Sequence, residues 1–187
     1  MSSKVWLWVI LGFVAIFFMT LIGSYNGLVA SSQGIDASWA QVENDMQRRY
    51  DLIPNLVATV KGYAKHESSV LEEVTRLRSQ WGAAKTPADQ ASASDNLGNA
   101  LGRLMVVVEK YPDLKANENF LQLQDELAGT ENRIAVERMR YNEAVQDYNV
   151  KVQSFPSNLL AGIFNFKVKD VYFKANAAAQ EAPKVQF

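Results

Sequence analysis

The stretch FLQLQDELAGTENRIAVERMRYNEAVQDYNVKVQSF, Phe120–Phe155, decides the fold class. Its apolar residues Phe120, Leu123, Leu127, Ile134, Tyr141, Val145, Tyr148, Val152 and Phe155 recur at helical intervals. That period belongs to a helix with one face packed against other helices. The stripe slips around Arg138 and Tyr141, which predicts a local unwinding of any left-handed supercoil. It stops at Pro156.

Working upstream, Leu97, Leu101, Leu104, Val108 and Tyr111 form another stripe, which ends at Pro112. A short turn follows through Asp113–Asn119, where Asn117 or Asn119 is placed to cap the next helix. An earlier stripe runs through Leu56, Val60, Tyr63, Val70, Val74, Leu77 and Trp81 and ends near Gly82. After it, Ala83–Ser94 (AAKTPADQASAS) is small, polar and proline-bearing, and reads as a loop. The first stripe is Leu28, Ile35, Trp39, Val42, Met46 and Tyr50, with Pro54 expected to mark a kink or turn and Asp51 available as a cap. The expected fold is all-α, with an antiparallel bundle of about four long helices as its body. Glu67 and Thr130 stand where the stripes ask for apolar residues. Either they form a buried polar layer or ligand site, or the helix turns and Glu67 meets solvent.

Upstream of the bundle, Val5–Ile22 reads VWLWVILGFVAIFFMTLI without a charged residue. As a helix this spans roughly 27 Å, close to the hydrocarbon thickness of a bilayer. Phe13, Phe17 and Phe18 lie within it, Trp6 and Trp8 stand near one end, and Tyr25 follows the other, as in an aromatic belt. A cleaved signal peptide or a buried core helix are the competing readings. The exit Leu21-Ile22-Gly23-Ser24-Tyr25 is a poor cleavage site, so a retained single span is expected. No proline separates the span from Ile53, so the two are expected to share one helix, although Gly23, Gly27 and Gly34 each cost about 1 kcal/mol against alanine. Lys4 lies on the short side and the first charge beyond is Asp36, which favours a cytoplasmic N-terminus and a body on the far side.

Composition removes whole classes of chemistry. The 187 residues carry 19 Lys and Arg against 20 Asp and Glu, a net charge of -1 that gives no field for nucleic acid. With no cysteine and one histidine, thiol catalysis, zinc fingers and two-histidine metal helices are excluded. The mean hydropathy of -0.13 averages an uncharged anchor with a charged body. His66-Glu67 is the one tempting pair, but adjacent helical residues point about 100° apart. A metal there would need Glu131 or Glu143 from another helix, which sequence does not place. Glu72 and Glu73 read as a solvated face, with Arg76 four residues from Glu72. No phosphate loop or nucleophile elbow is present. No catalytic residue, metal or cofactor is expected.

Two further segments carry open readings. Arg48, Arg49, Asp51, Pro54 and Asn55 in RRYDLIPNL either form an exposed corner that recognises a partner or simply reverse the chain. Beyond Pro156, SNLLAGIFNFKVKDVYFKA crowds Phe164, Phe166, Tyr172 and Phe173 among Lys167, Lys169 and Lys174. This segment lies on a headgroup surface, binds a neighbouring subunit, or folds back on the bundle. Ala175–Phe187 reads as a disordered tail with an apolar end.

Long motifs in order now resemble the LemA family. They are YNGLV at Tyr25–Val29, RRYDLIPNLV at Arg48–Val57, KGYAKHE at Lys61–Glu67, YPDLKANENFLQLQDEL at Tyr111–Leu127, TENRIAVER at Thr130–Arg138, RYNEAVQDYN at Arg140–Asn149 and FPSN at Phe155–Asn158. Glu137 and Met139 depart from the alanine and basic residue that many relatives carry. The resemblance implies a bacterial membrane protein with one N-terminal span, a helical-bundle body and no assigned catalytic residues. It also implies an association with membrane organisation or membrane-protease quality control. The expected organisation is an anchor over 1–24, a LemA-like bundle over 25–156 and an aromatic, basic segment over 157–187. The expected function is a non-catalytic protein of the bacterial inner membrane that self-associates or scaffolds partners. The alternative is an adaptor or sensor presenting the Arg48–Asn55 corner to a membrane protease or signalling partner. Its expected partners are the lipid bilayer, further copies of itself as a homo-oligomer, and a membrane protein, with no nucleic acid.

Overall fold

A computed structural model describes residues 3–64 and 66–173. The expectation of a disordered tail at Ala175–Phe187, and Lys174 before it, fall outside those residues. Among the described residues six helices follow in order: α1 (Ser3–Tyr63), α2 (Ser68–Ala83), α3 (Pro87–Val108), α4 (Pro112–Lys115), α5 (Glu118–Gln153) and α6 (Ser157–Ile163). Among the described residues there is no strand. The chain is all-helical and opens on one long apolar helix.

Of the kink or turn expected at Pro54, the turn is corrected, because Pro54 lies inside a helix of 61 residues. A proline there removes one N–H···O bond and crowds the carbonyl four residues back. That carbonyl belongs to Tyr50, and the Arg78 Nε donates to it at 3.4 Å. With the acceptor satisfied from α2, the helix runs on to Tyr63. The chain turns instead at 64–67, where Ala64 is buried and the Glu67 N–H bonds the Ala64 carbonyl. Neither glycine nor proline occupies that turn.

The expected loop at Ala83–Ser94 is also corrected, because α3 begins at Pro87. Thr86 is its N-cap: the hydroxyl oxygen accepts from the Asp89 N–H at 3.1 Å and donates to the Asp89 carboxylate at 2.7 Å. Proline at the first helical position fits that start, and the alanines that follow are strong helix formers. The segment is small and polar because it is a lightly buried helix. Downstream, Asn117 caps α5 as its position allowed, its side-chain oxygen accepting from the Phe120 N–H at 3.0 Å.

The residues divide into two compact units. One combines the stretch up to Ser38 with that from Arg140 onward; the other is Trp39–Met139. The division falls within α5 beside Arg138–Tyr141, where the apolar stripe slips. Up to Ile134 the stripe serves the second unit, and from Tyr141 it serves the first. In the second unit Ile53, Leu56 and Val60 of α1 pack with Leu71, Val74 and Leu77 of α2, Leu97, Leu101 and Leu104 of α3, Leu114 of α4, and Phe120 and Leu127 of α5. In the first unit Leu28, Ile35, Val145, Tyr148, Val152, Leu160 and Ala161 are buried. Residues of this kind each contribute about 1.5–3 kcal/mol when fully buried.

Candidate functional site

The residues singled out from sequence fall into three places. Trp6, Trp8, Phe13, Phe17 and Phe18 are all exposed on α1, in a helical stretch with no part buried inside the protein. Its length and apolarity suffice to cross a membrane. A core helix would bury at least one side of such a surface.

The second place is the supposed corner at Arg48–Asn55, which is a continuous helical face. Arg48 pairs with Glu126 of α5 at 2.6 Å, with both side chains partly exposed. Such a surface pair contributes about 0–1 kcal/mol. Arg49 is different, being 4 % exposed, with its Nη1 2.5 Å from Glu131 Oε2. Burial pulls its pKa down and Glu131 opposes that shift. Nearby Arg138 pairs with Asp95 at 2.7 Å. An alanine Cβ built at Gly98 would lie 2.6 Å from Arg49 Nη2, so the glycine makes room for the guanidinium. Asp51 accepts from Gln47 one turn earlier, and Asn55 accepts through its carbonyl from Thr59. Arg48 and Arg49 thus both pair with glutamates of α5, Arg48 at the surface and Arg49 buried, and Pro54 lies inside α1 rather than in a turn.

Glu67 lies half-buried in the 64–67 turn and accepts from the Tyr111 hydroxyl at 3.2 Å. Its neighbour His66 is exposed. Thr130 is buried, and its hydroxyl donates to the Leu127 carbonyl of its own helix. Glu67 is thus met by a distant tyrosine and Thr130 by its own helix, and no hydrogen bond links the two. Among the described residues, no three His, Asp or Glu side chains gather in a way that would hold a metal ion. A cleft of about 400 Å³ opens over Val57 and Leu71, rimmed by Lys61, Glu72 and Arg76.

The third place is the segment after Pro156, which forms α6 and then a strap along α5. Asn165, with φ of 59°, takes the left-handed conformation just past α6, and the Phe166 N–H reaches back to the Ala161 carbonyl at 2.9 Å. This is the Schellman way of closing a helix. Beyond it, Asn149 bonds both backbone groups of Lys169, at 2.8 Å and 2.7 Å. Asn142 does the same for Phe173, at 2.9 Å on each side. One amide meets the N–H and C=O of a single residue only where that residue is extended. The clamps are seven residues apart on α5, about 10.5 Å, and four apart on the strap, about 13 Å. Tyr148 donates to the Lys167 carbonyl at 3.0 Å, Tyr172 shares Asn149, and the Phe173 ring packs edge-on against Tyr141. Phe164 and Phe166 pack on Tyr25, with centroids 4.8 Å and 6.0 Å away.

Much of RRYDLIPNLV thus lies on a packed helix, while RYNEAVQDYN clamps an extended chain. A match to the sequence pattern of the LemA family covers residues 38–187. The chain belongs to the LemA family. It is 31 % identical to the magnetosome protein MamQ 2 of Paramagnetospirillum magneticum, covering 88 % of this chain and 70 % of that one. It is 30 % identical to the magnetosome protein MamQ of Magnetospirillum gryphiswaldense, over 81 % of this chain and 65 % of the relative. Protein LemA of Metamycoplasma hominis shares 27 % identity over 92 % of this chain and 77 % of its own.

Sequence reasoning passed over the two asparagine clamps of this LemA-family chain. Their signal was present, since Tyr141-Asn142 recurs as Tyr148-Asn149 one heptad later. It also passed over Arg78, whose role exists only because α2 lies beside Tyr50.

Proposed function

We propose that this LemA-family protein is a non-catalytic, single-pass membrane protein whose helical body associates with further copies or holds other membrane proteins. The observation that carries the reading is the exposed apolar stretch from Trp6 to Ile22. Water does not tolerate so continuous an apolar surface, and a bilayer matches its length. The same helix continues without a described break to Tyr63. The body is read as an antiparallel bundle of long helices, in keeping with the short connections at 64–67 and 84–86.

Anchoring confines copies to two dimensions, where weak contacts between bodies gain from a raised effective concentration. Exposed Val106, Leu121, Val136 and Met139 offer apolar contacts on the body. With one lysine on the short flank, the orientation places the N-terminus in the cytoplasm and the body outside the inner membrane. The non-catalytic reading rests on a chain without cysteine and with a single histidine.

The test is the size of full-length particles in mild detergent and in native membrane nanodiscs, measured by mass photometry over a concentration series. Assemblies larger than one chain, recovered from the alkali-washed membrane fraction, are expected. A monomer in both settings refutes self-association, and release by the alkaline wash refutes the anchor.

A further inference from the structure

The apolar anchor ends at Ile22, and Tyr25 follows it by three helical residues, or about 4.5 Å along the axis. The headgroup layer on each side of a bilayer is about 5–7 Å thick. Tyr25 therefore stands within that layer whenever the anchor spans the membrane. Its ring carries Phe164 at 4.8 Å and Phe166 at 6.0 Å, which brings the end of α6 to the same depth.

The surface found there is apolar. α6 is seated on the protein through buried Leu160 and Ala161. Its outward residues are Leu159 at 57 % exposed, Ile163 at 74 % and Phe164 at 54 %. Leu159 and Ile163 are four residues apart and share one helix face. Exposed Lys167 follows directly, suited to anionic headgroups. The tip is also held in place. The Schellman closure at Asn165–Phe166 fixes one end, and the clamps of Asn149 and Asn142 hold the strap beyond it. No large ordering cost therefore opposes burial of these side chains.

We infer that Leu159, Ile163 and Phe164 form a second membrane contact, inserted at the headgroup boundary beside Tyr25. The occupant of this patch is the lipid surface itself. The patch adjoins Tyr25, whose depth the span sets, and so continues the membrane-facing surface of α1. The inference rests on the reading of α1 as a membrane span. Two contacts, the span and the tip, fix the tilt and rotation of the helix that emerges from the bilayer, which a single span leaves free.

The chain has no cysteine, so one introduced thiol carries a unique label. Full-length Met19→Cys, Ile163→Cys and Ser92→Cys, each carrying the fluorophore NBD, are reconstituted in phosphatidylcholine–phosphatidylglycerol vesicles. Some vesicles contain lipids bearing a nitroxide on the headgroup or along the acyl chain. The Ile163 label is expected to be quenched several-fold more by headgroup and shallow nitroxides than the Ser92 label. The Met19 label should respond most to deep nitroxides. If Ile163 behaves like Ser92 while Met19 is quenched, the tip inference is overturned and the span stands. If Met19 is not quenched by deep nitroxides, the span reading fails and the tip inference falls with it. If Ile163 is shielded from both lipid nitroxides and aqueous iodide, protein covers the tip, which also overturns the inference.

Discussion

The Arg78 guanidinium donates from Nε to the backbone carbonyl of Tyr50 at 3.4 Å and lies over the Tyr50 ring, 4.0 Å from its centroid. Tyr50 is four residues before Pro54, so its carbonyl is the acceptor that proline leaves without a helical donor. One cation from α2 thereby meets the carbonyl that Pro54 leaves without a helical donor.

This relationship predicts a coupling. Arg78→Ala is expected to destabilise the second unit by about 1–3 kcal/mol, through the orphaned carbonyl and the lost ring contact. In a Pro54→Ala background a helical N–H is restored to the Tyr50 carbonyl, so the same change should cost less. Urea unfolding followed by circular dichroism closes the cycle, with a coupling of about 0.5–3 kcal/mol expected. Equal costs in both backgrounds would show that Arg78 does not serve the carbonyl.

Two glycines of α3 separate propensity from packing. Gly102 has nothing within 4 Å of an added Cβ, so Gly102→Ala is expected to stabilise by up to about 1 kcal/mol. Gly98→Ala meets Arg49 Nη2 at 2.6 Å and displaces a buried guanidinium from its pairing with Glu131. Its gain should be cancelled or reversed, and the difference between the two melting temperatures reads the contact directly. Equal shifts would contradict it.

The strap predicts a local effect. Asn149→Ala removes the bonds to both backbone groups of Lys169 and to the Tyr172 hydroxyl. Hydrogen exchange at 166–173 should accelerate, while amides of the second unit keep their protection. Asn149→Asp accepts from the Lys169 N–H but has no donor for its carbonyl, and should fall between wild type and alanine. Uniform acceleration across the chain would instead mean that Asn149 supports global stability.

Alkaline pH offers a further check on the same unit. Burial raises the Tyr148 pKa above its ordinary value, and burial with Asp36 raises that of Tyr141. A group whose folded pKa exceeds its unfolded one contributes fully below the unfolded value of about 10, and the contribution is lost as pH rises through the folded value. The phenolate of Tyr148 also no longer donates to the Lys167 carbonyl. Stability of the first unit should therefore fall above pH ~10. Tyr148→Phe should lower neutral-pH stability by about 1 kcal/mol and flatten part of that fall. An unchanged alkaline slope in Tyr148→Phe would exclude Tyr148 from it.

By itself, the sequence determined the helical class, the long apolar N-terminal helix and the LemA-family membership, and narrowed the α5 cap to Asn117 or Asn119, because helical period, apolar length and motif order are local properties of a chain. What the tertiary structure decided was how local signals were overridden or completed. Pro54 reads as a kink or turn, yet it lies inside α1 with Arg78 bonded to the Tyr50 carbonyl, and the arginines of RRYDLIPNL meet Glu126 and Glu131, partners that the motif does not name. The small polar residues of Ala83–Ser94 read as a loop, and only the structure shows Thr86 capping a helix that begins at Pro87. The clamps at Asn142 and Asn149 required the returning strap, since a side-chain amide declares a backbone partner only once that backbone lies beside it. The depth of Phe164 follows from its ring against Tyr25, a long-range contact that no local period encodes.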